Sequence, residues 1–372
     1  MSTKSIAVWC AEFSGAAKTE YEVHANYWRL SGDADFVREA GNVSDLLEIG
    51  VRVDDPGAVD HIGIFLPFKV SREEVEDCSK YFAGTAIAQG IFNDVLRVTM
   101  AGPGGPRCIE LSGPSGPLCR VHCFSFNTGS GIAPEELDVQ DEAYGTLLTI
   151  RRSALATAAT AAAAAPADAY FRLRVPTAGG GLLTVLRPRD HALQSGYEVI
   201  EYIDFRLNEA RTLPTTVETR MRGAGTNAAE LKLVAFLTAV PILSSITVSS
   251  SQSHKMRVLE HDLWTPYVPG RLPKDMMVYH WKRERGFIPD PTVALRVPGP
   301  PIQDFSAFIK MSTRRTSRRT LVLYLAIAFI FGVLGNLCAS LIEALPSMLT
   351  CVSSVVGNSA SAQCSEYVQG AG

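Results

Sequence analysis

Charge is scarce in this sequence. Asp, Glu, Lys and Arg make up 20% of its 372 residues, below the usual quarter, and the net charge is −3. With 47% hydrophobic residues the chain is not a disordered one, which needs low hydrophobicity and high net charge. It also lacks the basic surplus of a protein that tracks phosphate chains. Without Lys310, Arg314, Arg315, Arg318, Arg319 and the glutamates 343 and 366, residues 1–309 carry about −6, which repels nucleic acid. Cysteine is sparse too: eight in this length are too few for a small disulfide scaffold.

Catalytic and metal signatures are thin. No G-x-S-x-G elbow occurs. The stretch Gly102-Pro103-Gly104-Gly105-Pro106 has prolines where a phosphate cradle needs N–H donors, and Gly179-Gly180-Gly181 reads as a hairpin turn. Cys119, His122 and Cys123, with Cys108 nearby, do not have zinc-knuckle spacing. On a strand, Cys119, Val121 and Cys123 share one face and His122 takes the other, which makes the thiols core residues. No metal site and no cofactor are therefore expected. Asp60-His61, Asp190-His191 and His261-Asp262 are acid–base neighbours in sequence, which does not make them neighbours in chemistry. The strongest of these weak catalytic candidates is His261 with Asp262, because Trp264 follows and can line a pocket.

What is present is one long apolar run. Residues 321–342, LVLYLAIAFIFGVLGNLCASLI, carry no charge and match the roughly 20 residues a bilayer core demands of a helix. Lys310, Arg314, Arg315, Arg318 and Arg319 precede it, while residues 343–372 hold no Lys or Arg. The positive-inside rule then puts the N-terminal bulk in the cytoplasm and the tail outside, with the basic residues at the lipid headgroups. The N-terminus has only a six-residue apolar run, Ile6 to Ala11, too short for the h-region of a signal peptide. Within the span, Ala328, Gly332, Asn336 and Ser340 recur every fourth residue and form one helical stripe. Small residues there admit a second backbone, and Asn336 can hydrogen-bond across helices. In the tail, Cys351 and Cys364 have a spacing that permits a disulfide. The segment 233–248 also lacks charge. Pro241 interrupts it, and it reads as a buried helix followed by a strand, with a second or re-entrant span as the alternative.

The fold class expected is α+β. Two tandem, mostly antiparallel β-rich domains with a few helices precede one transmembrane helix. Their limits are 1–153 and 170–310, separated by an Ala-rich linker at 154–169 and followed by a basic juxtamembrane segment at 311–320. Strands are expected at 62–70, 121–126, 145–151, 170–175, 182–186 and 198–207. Helices are expected from the N-cap Ser71 through 82 and over 227–239. Tyr27-Trp28-Arg29-Leu30 resembles Tyr170-Phe171-Arg172-Leu173, and Phe65–Ser71 resembles Tyr202–Asn208 in the same order, which reads as a diverged duplication. The basic-aromatic run His280-Trp281-Lys282-Arg283-Glu284-Arg285 reads as a solvated strand end. The function expected is a single-pass membrane protein whose cytosolic head binds a ligand or protein partner. Its partners would be the bilayer, a second copy through the helix and that cytosolic ligand, not nucleic acid. The alternatives are an oligomeric membrane-perturbing effector gated by the head and a membrane-tethered hydrolase using His261 and Asp262.

Overall fold

The computed structural model describes residues 5–32, 43–100, 107–127, 131–160, 168–177, 183–186, 198–223, 227–250, 253–268, 272–289, 296–314 and 318–356. In chain order they run through β1 (Ala7–Glu12), β2 (Glu20–Trp28), β3 (Asp45–Val53), β4 (Val59–Leu66), β5 (Glu76–Asp77), α1 (Thr85–Phe92), β6 (Arg97–Met100), β7 (Cys108–Gly113), β8 (Gly116–His122), β9 (Phe126–Asn127), β10 (Gly131–Ile132), β11 (Leu137–Glu142), β12 (Gly145–Ile150) and α2 (Arg152–Thr160). There follow β13 (Ala169–Thr177), β14 (Leu183–Leu186), β15 (Glu198–Leu207), α3 (Thr215–Gly223), β16 (Glu230–Pro241), β17 (Ser244–Ser249), β18 (Lys255–Val258), α4 (His261–Trp264), β19 (Met276–Glu284), β20 (Phe287–Pro289), β21 (Arg296–Pro298), β22 (Phe305–Arg314) and α5 (Arg318–Val356).

One sheet dominates. Its order is β18-β19-β16-β2-β3-β13-β8-β7-β6, with β5 also paired to β13. Only β16 with β2 and β13 with β8 are parallel neighbours in it. Two four-stranded sheets, β1-β4-β12-β11 and β14-β15-β22-β17, supply the facing layer. A parallel bridge from Ile6, just before β1, to Leu207, at the end of β15, links them. The main core lies between these layers. Val8, Ile64 and Leu148 from one small sheet and Phe205, Ile309 and Met311 from the other pack on Val23, Val51, Phe171, Phe236 and Trp281 of the large sheet. Phe205 stacks on Phe236 with ring centroids 4.2 Å apart. Side chains buried this fully contribute about 1.5–3 kcal/mol each. The far side of β1, β4 and β12 is closed by Leu213 and by Val217 of α3, which meet Ala7, Trp9, Phe65 and Leu147. That double burial is why β1 is apolar at nearly every position instead of alternating.

The strands expected at 145–151, 170–175, 182–186 and 198–207 are present as β12, β13, β14 and β15, whereas the one expected at 62–70 is β4, which ends at Leu66, and the one expected at 121–126 is broken between the end of β8 at His122 and the start of β9 at Phe126. Several other expectations need correction. Residues 227–239 are not a helix: β16 occupies them, and 233–248 forms a strand, a turn and a second strand instead of a membrane segment. In β16, Val234, Phe236 and Thr238 are buried on the core side, while Leu233, Ala235 and Leu237 point the other way and are half-buried. A strand apolar on both faces has no alternation to betray it. The helix expected from Ser71 to residue 82 is two short 3-10 turns, Arg72–Glu74 and Ser79–Ala83, with β5 between them. The capping box at Ser71 is real, with Glu74 accepting from the Ser71 backbone N–H at 2.8 Å, but it opens only a single turn.

The Ala-rich segment 154–169 begins as α2, whose Ala154, Leu155 and Ala158 are buried in the main core; residues 161–167 lie outside the described residues. Nor do 1–153 and 170–310 stand as separate units. Residues 1–189 and 199–314 form one compact unit, and β13 lies between β3 and β8 in the large sheet. The turn at 102–106, the Gly179–Gly181 run and the Asp190-His191 pair lie outside the described residues.

The second unit contains α5. Its stretch Leu321–Glu343 is long and apolar enough to cross a membrane, and none of it is buried. Here too the expected boundaries move. The helix does not stop at 342 but runs on to Val356, so Cys351 falls on it, whereas Cys364 lies outside the described residues. Lys310 to Arg314, expected at or in the juxtamembrane segment, belong to β22, with Lys310 opposite Val248. Arg318 and Arg319 open α5, and Arg315 lies outside the described residues.

Candidate functional site

The face of the large sheet turned away from the main core carries a cleft of about 650 Å³. Alternation along three neighbouring strands builds its floor. Glu22, His24 and Asn26 come from β2, Leu233, Ala235 and Leu237 from β16, and Val278, His280, Lys282 and Glu284 from β19. The C-terminal end of α1, from Gly90 to Asp94, makes one wall. This helix stops at Asn93, which takes the left-handed conformation (φ 52°). Gly90 is where α1 meets Trp264, for a β-carbon there would lie 2.7 Å from the indole. His254, Lys255, Met256 and Arg257, at the edge strand β18, make the other wall.

Three imidazoles face this space. His254 and His280 stand edge to face at 5.7 Å, and His24 packs against Phe92 at 5.9 Å and Tyr170 at 5.6 Å. Burial, reinforced by His254, Lys282, His24 and Lys255, pushes the His280 pKa down to about 4. His280 is therefore neutral at pH 7. Burial alone would raise the Glu22 carboxyl, but His24, Arg52 and Lys232 outweigh it and hold it at about 2. Glu22 is thus committed, with Arg52 at 3.4 Å, His24 at 3.5 Å and Lys232 at 3.6 Å. Arg52 is shared further, donating to Asp168 at 2.6 Å and to the Leu118 carbonyl at 3.0 Å. Lys282 pairs with Glu284, and Arg257 reaches Glu260 at 3.8 Å. Lys255 has no ion pair among the described residues. The cleft therefore sets the aliphatic side chains Leu233, Ala235, Leu237 and Val278 among polar floor residues, beside a rim that carries Lys255 and Arg257.

Beneath the floor lies a buried polar cluster. Glu48 of β3 is wholly buried and accepts from Arg172, from Arg174 Nε at 2.8 Å and from the Tyr267 hydroxyl at 2.7 Å. Arg172 also donates to the Tyr267 and Tyr170 hydroxyls at 2.9 and 2.7 Å. Burial would raise the Glu48 carboxyl, but Arg174, Arg172 and Tyr267 bring it below the usual range. Arg172 itself lines the cleft, so this cluster sets the base on which the floor rests.

The residues singled out from sequence fall elsewhere. His261 and Asp262 sit on the single turn α4. Asp262 is exposed, and the buried Nδ1 of His261 has no hydrogen-bond partner, so no Asp–His dyad forms there. Asp60 and His61 do bond, at 2.8 Å, but on the surface. Cys119 and Val121 are buried together with Cys123 partly buried beside them, while His122 packs on Phe124 and Phe171 of the main core. Burial pushes the Cys119 thiol up to about 12, which leaves it unreactive at neutral pH. Among the described residues no group of three metal-ligating side chains assembles. In α5, Ala328, Gly332, Asn336 and Ser340 are all exposed, and a β-carbon on Gly332 would meet nothing within 4 Å. The Ser340 hydroxyl donates to the Asn336 carbonyl at 3.0 Å. The cleft imidazoles escaped sequence reading because they come singly from β2, the start of β18 and β19. The one local signal was the run 280–285. Its even residues through Glu284 face the cleft, while Trp281 is buried in the main core.

Comparison with known proteins assigns no family. No family model matches the chain, and no curated protein matches it. Among solved structures, the Fcho1 Mu homology domain of Danio rerio with bound Eps15 peptide aligns with 84% of this chain and 81% of its own, at 10% identity and a TM-score of 0.15, too low to imply a shared fold.

Proposed function

We propose that this chain is a single-pass membrane protein whose β-rich head is a binding module without catalytic chemistry. The cleft over β2, β16 and β19 would take an extended acidic segment carrying an aliphatic side chain. The observation that carries this is the pairing of four aliphatic floor side chains (Leu233, Ala235, Leu237, Val278) with a rim that carries Lys255, which has no carboxylate partner among the described residues. Acidic groups would meet the rim, and the aliphatic group would displace water from the floor. The basic flank of α5 favours the head on the cytoplasmic side. The stripe Ala328, Gly332, Asn336 and Ser340 is proposed as a self-association face, since its side chains are exposed and the Ser340 hydroxyl is satisfied within the helix.

The test is titration of an acidic-aliphatic peptide into the full-length protein in lipid nanodiscs. Reversing Lys255 and Arg257 to glutamate should weaken binding by roughly tenfold, more at low salt than at high. Equal affinity for the wild type and the double variant, or no affinity for acidic over basic peptides of the same length, would remove the cleft from consideration.

A further inference from the structure

The β16–β17 turn exposes two aliphatic side chains, Ile242 at 46% and Leu243 at 68%. They do not stand alone. Pro241 pairs with Met276 and Val258 pairs with Met277, so the turn leaves the sheet at the level where Val258 ends the edge strand. Val258 and Met256 are also exposed, and Ile242, Met256 and Met277 line one shallow groove beside β17. Four large aliphatic or thioether side chains thus crowd one corner of the head, where a soluble protein scatters such groups singly.

The covalent chain says what covers this corner. Directly after the turn, Ser244 pairs with Thr313 of β22, and their hydroxyls are 2.8 Å apart. Residues 314–320 are all that separate Thr313 from Leu321, where the apolar span begins. At full stretch that much chain reaches roughly 28 Å, and less where Arg318 to Thr320 are helical. The polar zone of a bilayer is itself about 5–8 Å deep on each side. A turn held against Thr313 therefore works within reach of the headgroups. Lys274, exposed beside the turn, adds a cation suited to anionic lipid, opposed by Asp275.

We infer that Ile242 and Leu243, with Met256 and Val258, form a second membrane contact that seats this corner of the head in the lipid interface. The inference rests on α5 being a membrane span. It makes the head a docked body with a defined face toward lipid, not one that swings on its tether.

The experiment uses full-length protein in nanodiscs of phosphatidylcholine with one-fifth phosphatidylserine, prepared with ordinary or with chain-brominated lipid. Leu243→Trp and, separately, Val258→Trp place a reporter at the corner; both positions are exposed, so the core is untouched. Tyr144→Trp, on the exposed β11–β12 turn, is the control. Each corner tryptophan should emit at shorter wavelength than the control and lose intensity in brominated lipid beyond the wild-type loss. Corner tryptophans quenched no more than the control would overturn the inference while leaving the span intact, and would turn attention to a protein partner. Release of the chain by alkaline carbonate would instead overturn the span itself, and this inference with it.

Discussion

At the scale of single residues, Glu48 has the most to lose. It lies fully buried under the cleft with two arginines and a tyrosine hydroxyl directed at it. Glu48→Gln keeps the shape but leaves Arg172 facing a neutral group in the buried interior, and Arg174 with Glu76, at 3.0 Å, as its remaining carboxylate partner among the described residues. Breaking a buried pair on one side costs about 3–5 kcal/mol. Urea unfolding should show that loss as a lower midpoint at unchanged slope; a cost below about 1 kcal/mol would mean that the arginines find other partners. Gly50, opposite Arg172 on β3, obeys a simpler constraint. A β-carbon there would lie 2.0 Å from the Tyr170 hydroxyl, so glycine is what lets Tyr170 reach Arg172.

At the scale of elements, α5 is the clearest case. Its run of uncharged residues was legible in the sequence because a bilayer span needs length and apolarity and nothing else. Its end was not, because a helix can continue past the charge at Glu343, and Pro346 did not stop it. Leu substituted for Gly332 or for Asn336 should lower the oligomer content of the full-length chain, as measured by mass in nanodiscs. Unchanged content in both would show the stripe to be lipid-facing. The strands of the head divide on a similar line. β4, β12, β13 and β15 were readable from β-branched and aromatic runs, but β16 was not, since both of its faces are covered and its leucines and alanines favour helix on propensity alone. The cleft was nearly invisible from sequence. It depends on β2, β18 and β19 being brought beside β16, and only the alternation in 280–285 hinted at one side of it.

At the scale of the whole molecule, His280 and Glu22 tie the head to pH. His280 is held at about 4 in the folded chain, against an ordinary value near 6.5. Between those two values the unfolded chain binds more protons, so stability is greatest above about 6.5 and falls as pH drops toward 4. Glu22, held at about 2, acts in a lower window: its contribution is present above the ordinary carboxylate range and is lost as pH falls toward 2. His280→Gln should flatten the dependence of Tm on pH between about 4 and 6.5 and leave the acid limb unchanged. A Tm profile identical to the wild type would mean that the site hydrates on protonation. An acidic ligand opposes the desolvation of His280, so it should bind the wild type more tightly at pH 5 than at pH 7.5, and His280→Gln should lose that difference.

The parallel pairing of β2 with β16 also has a consequence during synthesis. Glu20 of β2 aligns with Glu230 and Trp28 with Ala239. At roughly 5–20 residues per second, a ribosome needs about 10–40 s to deliver the second strand after the first. Throughout that interval β2 has an unfilled edge beside apolar neighbours, the arrangement most open to pairing with a strand of another chain. Chaperone demand should therefore be greatest for nascent chains that end before residue 230, and should fall once β16 has emerged.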